Sequence, residues 1–97
     1  MKISDIRIRK TFEEGNLKAI VSITIDDCLA IHEIKIVKGN DRVFVAMPSR
    51  KDENGVYRDV IHPITPASRE AFEKVILAAY ENHLSTQNIL DSANISA

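Results

Sequence analysis

The sequence predicts an α+β domain: an antiparallel sheet of four to five strands, a meander plus a hairpin, followed by one C-terminal amphipathic helix. Three observations predict it. Up to Ile61, apolar residues alternate with polar ones in short runs broken by Gly, Asn and Asp, which is the period of half-buried strands. After Thr65-Pro66 the apolar spacing changes to i, i+3, i+4, i+7, the period of one helix face. The length of 97 residues supplies one core of modest size, which a second copy of the chain would help to complete.

In the first strand Ile6 and Ile8 share a face, with Arg7 and Arg9 on the other. Beyond Glu13-Glu14-Gly15-Asn16, the residues Leu17, Ala19, Val21, Ile23 and Ile25 line one face of the second. Pairing Phe12 with Leu17 sets Ile8 opposite Val21 and Ile6 opposite Ile23, so pattern and turn agree on a hairpin. Asp26-Asp27 reads as a two-residue turn that pairs Ile25 with Cys28 and carries the core face into Ala30, His32, Ile34 and Ile36. Cys28 is then filler in an apolar strand, and as the only cysteine it has no intrachain disulfide partner. Gly39-Asn40-Asp41 breaks the chain again before a fourth strand over residues 42–47. Ile20, Leu29, Ile31, Val37 and Phe44 fall on the opposite face, which suggests that this face too is covered, by a helix or another subunit.

Pro48 ends that strand because it has no N–H for a ladder. Asn54-Gly55 marks a hairpin tip, with a return strand over 56–61. Thr65 is a helix N-cap, Pro66 takes the first helical position and Glu70 lies close to the positive helix start. Phe72, Val75, Ile76, Ala79, Tyr80 and His83 form the apolar stripe. The domain spans residues 1–84, and residues 85–97, with few charges and little periodicity, read as a weakly ordered tail.

Composition narrows the function classes. Hydrophobic residues are 44% and charged residues 28%, which fits a globular domain rather than a disordered one. No run reaches membrane-spanning length and the N-terminus lacks a signal-peptide core, so a cytoplasmic chain with no membrane partner is expected. A net charge of −1 argues against a strongly basic surface everywhere. Up to Val60, however, eleven Lys/Arg stand against ten Asp/Glu, and the remainder has two against four, so a cationic surface must be a local patch in the first part.

Catalytic signals are absent from the sequence: there is no phosphate-cradling glycine loop, no His-Glu-x-x-His pair and no nucleophile elbow. No enzyme activity, cofactor or metal is implied. Asp26, Asp27, His32 and Glu33 are a metal set in composition only, since alternation sends His32 and Glu33 to opposite faces. His62, held extended by Pro63, has no local nucleophile to serve and reads as structural. Arg50 and Lys51, with Arg58 across the hairpin, can neutralise phosphates, although Asp52 and Glu53 follow at once and a solvated loop is the plainer reading. Arg7, Arg9 and Lys18 form a second basic set that reads as a solvated face. At the helix start, Arg69 adds a cation to exposed N–H groups.

Three segments carry a family resemblance: Ala19-Ile20-Val21-Ser22-Ile23-Thr24, Phe44-Val45-Ala46-Met47-Pro48-Ser49-Arg50-Lys51 and Arg58-Asp59-Val60-Ile61-His62-Pro63-Ile64. Over residues 1–84 the chain resembles the SpoVG family, the stage V sporulation or septation proteins of bacteria. The resemblance implies a small homodimeric regulator of septation and sporulation that binds nucleic acid, DNA first and RNA as the second candidate. It implies nucleic-acid contacts at Arg50, Lys51 and Arg58, with the helix start and Arg69 tuning sequence preference. The dimer interface expected alongside it draws on Ile20, Ile31, Phe44, Phe72 and Ile76. The rival reading is a protein-interaction adaptor in cell division that uses an apolar sheet face and the helix without touching nucleic acid.

Overall fold

Long runs of β-branched residues, interrupted by turn formers, build the sheet. The computed structural model describes residues 2–96, with helix side chains described to residue 86. Strands β1 (Ile3–Thr11), β2 (Leu17–Ile25), β3 (Leu29–Lys38) and β4 (Val43–Ala46) form an antiparallel sheet in the order β1-β2-β3-β4. A separate two-stranded ribbon, β5 (Ser49–Lys51) and β6 (Tyr57–Asp59), follows, and then a single helix, α1 (Pro66–Ser96). The expected meander, hairpin and C-terminal helix are all present, in an α+β fold. Among the described residues no helix is long and apolar enough to cross a membrane.

The core lies between α1 and one face of the four-stranded sheet. Val21, Ile23, Ile34, Ile36 and Ile76 are its largest fully buried side chains, joined by Ala19, Val45, Met47 and Phe72. Removing each of these Ile side chains from water contributes roughly 1.5–3 kcal/mol, and this burial sets the helix against the sheet. The helix stripe is narrower than its sequence pattern: Phe72 and Ile76 are buried, Leu77 and Tyr80 are partly so, and Val75 is 44% exposed. Its start is capped as expected, the Ser68 N–H donating to Thr65 Oγ1 at 3.1 Å. Glu70 lies beyond the first turn, which holds no acidic residue. The α1 backbone runs to Ser96, past residue 84; of the tail expected over 85–97, side chains from residue 87 onward lie outside the described residues.

Registers agree with alternation in the middle of strands and depart from it at bulges. Ile6 pairs Ile23 and Ile8 pairs Val21, as expected. A shift between Ile8 and Lys10 then sets Lys10 opposite Ile20. The β2–β3 turn differs from its expected form: Ile25 pairs Leu29, so the connection has three residues, and Cys28 lies exposed in the turn instead of filling the core. Asp26 and Asp27 adopt φ values of 51° and 55°, and Asp side chains tolerate this left-handed region better than most. The Asp26 carboxylate accepts the Lys2 N–H at 2.9 Å and the Asp27 N–H donates to Ser4 Oγ at 3.0 Å, which ties the turn to β1.

That extra turn residue flips the first half of β3. Ile31 faces the core opposite Ile23, while Ala30 and His32, expected there, are exposed. A bulge at Glu33, with φ 65°, restores the parity, so Ile34 and Ile36 are buried as the pattern required. Ile31 therefore leaves the group expected on the second face. The sheet face turned away from α1, called the open face below, keeps Ile20, Val37 and Phe44, all part-exposed.

Candidate nucleic-acid interface

The β5–β6 ribbon is a short arm whose base is closed by the Val60 N–H donating to the Pro48 carbonyl at 2.8 Å. Its register sets Arg50 directly opposite Arg58, and Lys51 opposite Tyr57. Cross-strand partners share a face, so the two arginines stand together on one side of the ribbon and Lys51 with Tyr57 on the other. Like charges placed directly opposite repel, and an isolated pair would weaken so short a ribbon.

Asp52 resolves this. Its Oδ2 accepts from Arg58 Nε at 2.8 Å, and its Oδ1 accepts the N–H groups of Asn54 at 2.9 Å and Val56 at 3.0 Å. The Arg58 guanidinium, aided by the Val56 and Asn54 N–H groups, holds the Asp52 carboxyl below the usual carboxylate value. Gly55 completes the tip at φ 81°, a conformation in which a Cβ is strained. The acid that weakens the basic loop in sequence is thus the group that shapes the arm. Arg58 still presents its terminal nitrogens, since only Nε is engaged and its side chain is 71% exposed. Arg50 and Lys51 are exposed and have no ion-pair partner among the described residues.

Arg69 is also exposed, but it stands on the first turn of α1, with residues 60–68 between it and the arm. The structure thus joins Arg50 to Arg58 and leaves Arg69 on a separate element. Tyr57, 69% exposed, is the contact candidate that the charge pattern did not single out. An aromatic ring beside a lysine on a free-standing ribbon is a surface on which a base can stack. Its signal in the sequence was an aromatic residue in a return strand with no apolar partner at alternate positions. His62 is exposed, its ring Nδ1 2.9 Å from the Pro63 carbonyl, a local contact that fixes the ring.

The residues expected at a dimer interface divide into two groups. Ile31, Phe72 and Ile76 lie inside the chain's own core, while Ile20 and Phe44 are part-exposed on the open face. Exposed apolar side chains gather elsewhere, around a groove of about 380 Å³ between the end of the sheet, residues 61–64 and Phe72. Ile61 and Ile64 line it, and Ile64 is 86% exposed.

The sequence model of the SpoVG family matches residues 1–82, which include the whole sheet, the arm and the docked part of the helix. This chain belongs to the SpoVG family. Relatives bearing the name "Putative septation protein SpoVG" include one from Agathobacter rectalis, 51% identical over 84 residues, covering 87% of this chain and 97% of the relative. Another, from Lachnospira eligens, is 49% identical and covers 84% of this chain and 92% of its own. A third, from Clostridium botulinum strain Eklund 17B, is 45% identical over 89 residues, with 92% and 97% covered. Each of these relatives carries the name of a septation protein.

Proposed function

We propose that this SpoVG-family chain is a cytoplasmic regulator, without enzymatic activity, that binds nucleic acid through the β5–β6 arm, DNA first and RNA as the second candidate, and acts in septation and sporulation. The observation that carries the reading is the Arg50–Arg58 cross-strand pair, kept in place by Asp52 and presented on a two-stranded ribbon clear of the core. Two-stranded ribbons fit nucleic-acid grooves, and paired guanidinium groups recognise phosphates and guanine edges. Arg69 at the helix start adds sequence preference. A homodimer completes the reading: the rim of the groove, with Ile61 and Ile64 exposed, is the apolar surface available to a second copy. The same rim would serve a protein adaptor, so sedimentation of the pure chain separates the two, a micromolar monomer favouring the adaptor.

The test is titration of labelled duplex and single-stranded oligonucleotides across a salt series. Changing Arg50 and Lys51 to Ala removes two phosphate contacts, and the logarithmic salt slope should fall by about 1.8 on duplex DNA. Arg69→Ala should relax preference at one position by about 1–3 kcal/mol instead of weakening all sites equally. Parent and double variant with identical slopes and affinities would remove the arm from the site.

A further inference from the structure

The Arg7, Arg9 and Lys18 set left over from the sequence acquires a different shape once the bulges are in place. Simple alternation sends Lys10 toward the core. The register shift between Ile8 and Lys10 instead sets Lys10 opposite Ile20 on the open face, and Arg9, the bulged residue, reaches Ser22 on the same side. Ile20 in turn pairs with Lys35 of β3. One lateral row therefore runs Lys10, Ile20, Lys35, its two lysines about two strand spacings, roughly 10 Å, apart at the backbone, with Lys10 Nζ 5.1 Å from the centre of the Phe12 ring.

Beside this row stands an anchored guanidinium. Arg9 Nε donates to Ser22 Oγ at 3.3 Å, and Ser22 Oγ lies 3.0 Å from His32 Nδ1, a chain that crosses β1, β2 and β3. Ser22 is the buried polar residue of this sheet. Its hydroxyl holds Arg9 by one nitrogen and leaves the other donors of the fork outward. Arg7 is neutralised by Asp5 at 3.0 Å. Among the described residues Arg9, Lys10 and Lys35 have no ion-pair partner, and Glu33, at the bulge, is the remaining acid of this part of the sheet.

We propose that the open face is a second nucleic-acid surface, on which Arg9, Lys10 and Lys35 hold the phosphates of a strand that also engages the arm. The inference rests on the nucleic-acid reading above and deepens it. A linear polyanion fits cations strung across the strands. A membrane does not, because the large exposed apolar groups, among them Leu29 at the start of β3, Tyr57 on the arm and Ile61 and Ile64 around the groove, lie off this row.

The test compares three proteins in the same salt series with labelled single-stranded and duplex oligonucleotides: the parent, the arm variant R50A/K51A, and the face variant R9Q/K10Q/K35Q. Exposed Lys→Gln and Arg→Gln changes leave the core intact, and an unchanged melting temperature checks this. Losing three phosphate contacts should lower the salt slope by about 2.1 on single strands and about 2.7 on duplex. Between 50 and 200 mM salt the loss of affinity then shrinks by about 20- to 40-fold. A face variant that titrates like the parent, while the arm variant weakens, overturns the second surface and leaves the arm reading standing. A parent that binds no oligonucleotide overturns both. Binding of phosphatidylserine-containing vesicles in place of oligonucleotides, lost in the face variant, overturns the assignment to nucleic acid.

Discussion

Val75 and Ile76 are adjacent residues in one apolar stripe of the sequence, and the structure assigns them opposite energetics. Ile76 is fully buried between α1 and the sheet, while Val75 is 44% exposed. Ile76→Ala deletes three buried carbons and leaves a cavity that the surrounding Ile and Val side chains fill only in part, at a cost of about 2–5 kcal/mol. For a domain of this size each kcal/mol lowers Tm by roughly 4–8 °C, so a mid-range loss of about 3 kcal/mol corresponds to some 12–24 °C. Val75→Ala removes little buried surface and gains helix propensity, so its effect should stay within about 0.5 kcal/mol of zero. Urea unfolding at fixed protein concentration measures both, and an unchanged m-value licenses the comparison. Equal destabilisation by the two changes would refute the packing of α1 through Phe72 and Ile76, and with it the placement of Thr65 and Arg69 relative to the sheet.

Asp52→Ala removes a negative charge from a cationic arm, and it should nonetheless weaken oligonucleotide binding and abolish amide protection at Asn54 and Val56, whose N–H groups the carboxylate accepts; tighter binding would show that the acid opposes the site. The Asp52 carboxyl is depressed in the folded arm, so its contribution is complete above the ordinary value of 3.8 and is lost as pH falls through the lower folded value. Protection at those two amides, followed by hydrogen exchange, should therefore be intact at pH 5, still present at pH 3.8, and lost only at more acid pH, as the pH falls through the depressed folded value. Tyr57→Ala should reduce affinity for single strands by about 5- to 150-fold through lost stacking while leaving the salt slope unchanged. A changed slope with unchanged low-salt affinity would argue against stacking.

Much of this architecture is written in local pattern. The period-2 runs in the middle of β1 and β2, the Asn54-Gly55 tip, Pro48 at the end of a strand and Thr65-Pro66 at a helix start are each decided by interactions within a few residues and are found where the sequence puts them, while the return strand expected over 56–61 is shortened to Tyr57–Asp59. The match to the SpoVG family spans residues 1–82, which include all of these segments. The basic residues of the arm were legible for that reason too. Their arrangement was not, because whether Arg50 meets Arg58 depends on ribbon register, and whether Asp52 opposes or supports them depends on which nitrogen its carboxylate reaches.

The larger differences arise where one residue is added to a strand. Neither Glu33 nor Arg9 belongs to a residue type that announces a bulge, yet each resets which side chains face α1. Alternation has no memory of such a shift, so it assigned Ile31 and Lys10 to the wrong faces and left Cys28 in the core. Only tertiary packing decides the matter: burying Ile31 beside Ile23 and Ile34 beside Val21 on one face requires the extra residue at Glu33, and the hydrophobic gain from both outweighs one left-handed backbone conformation. The row of cations on the open face is the other side of that same choice.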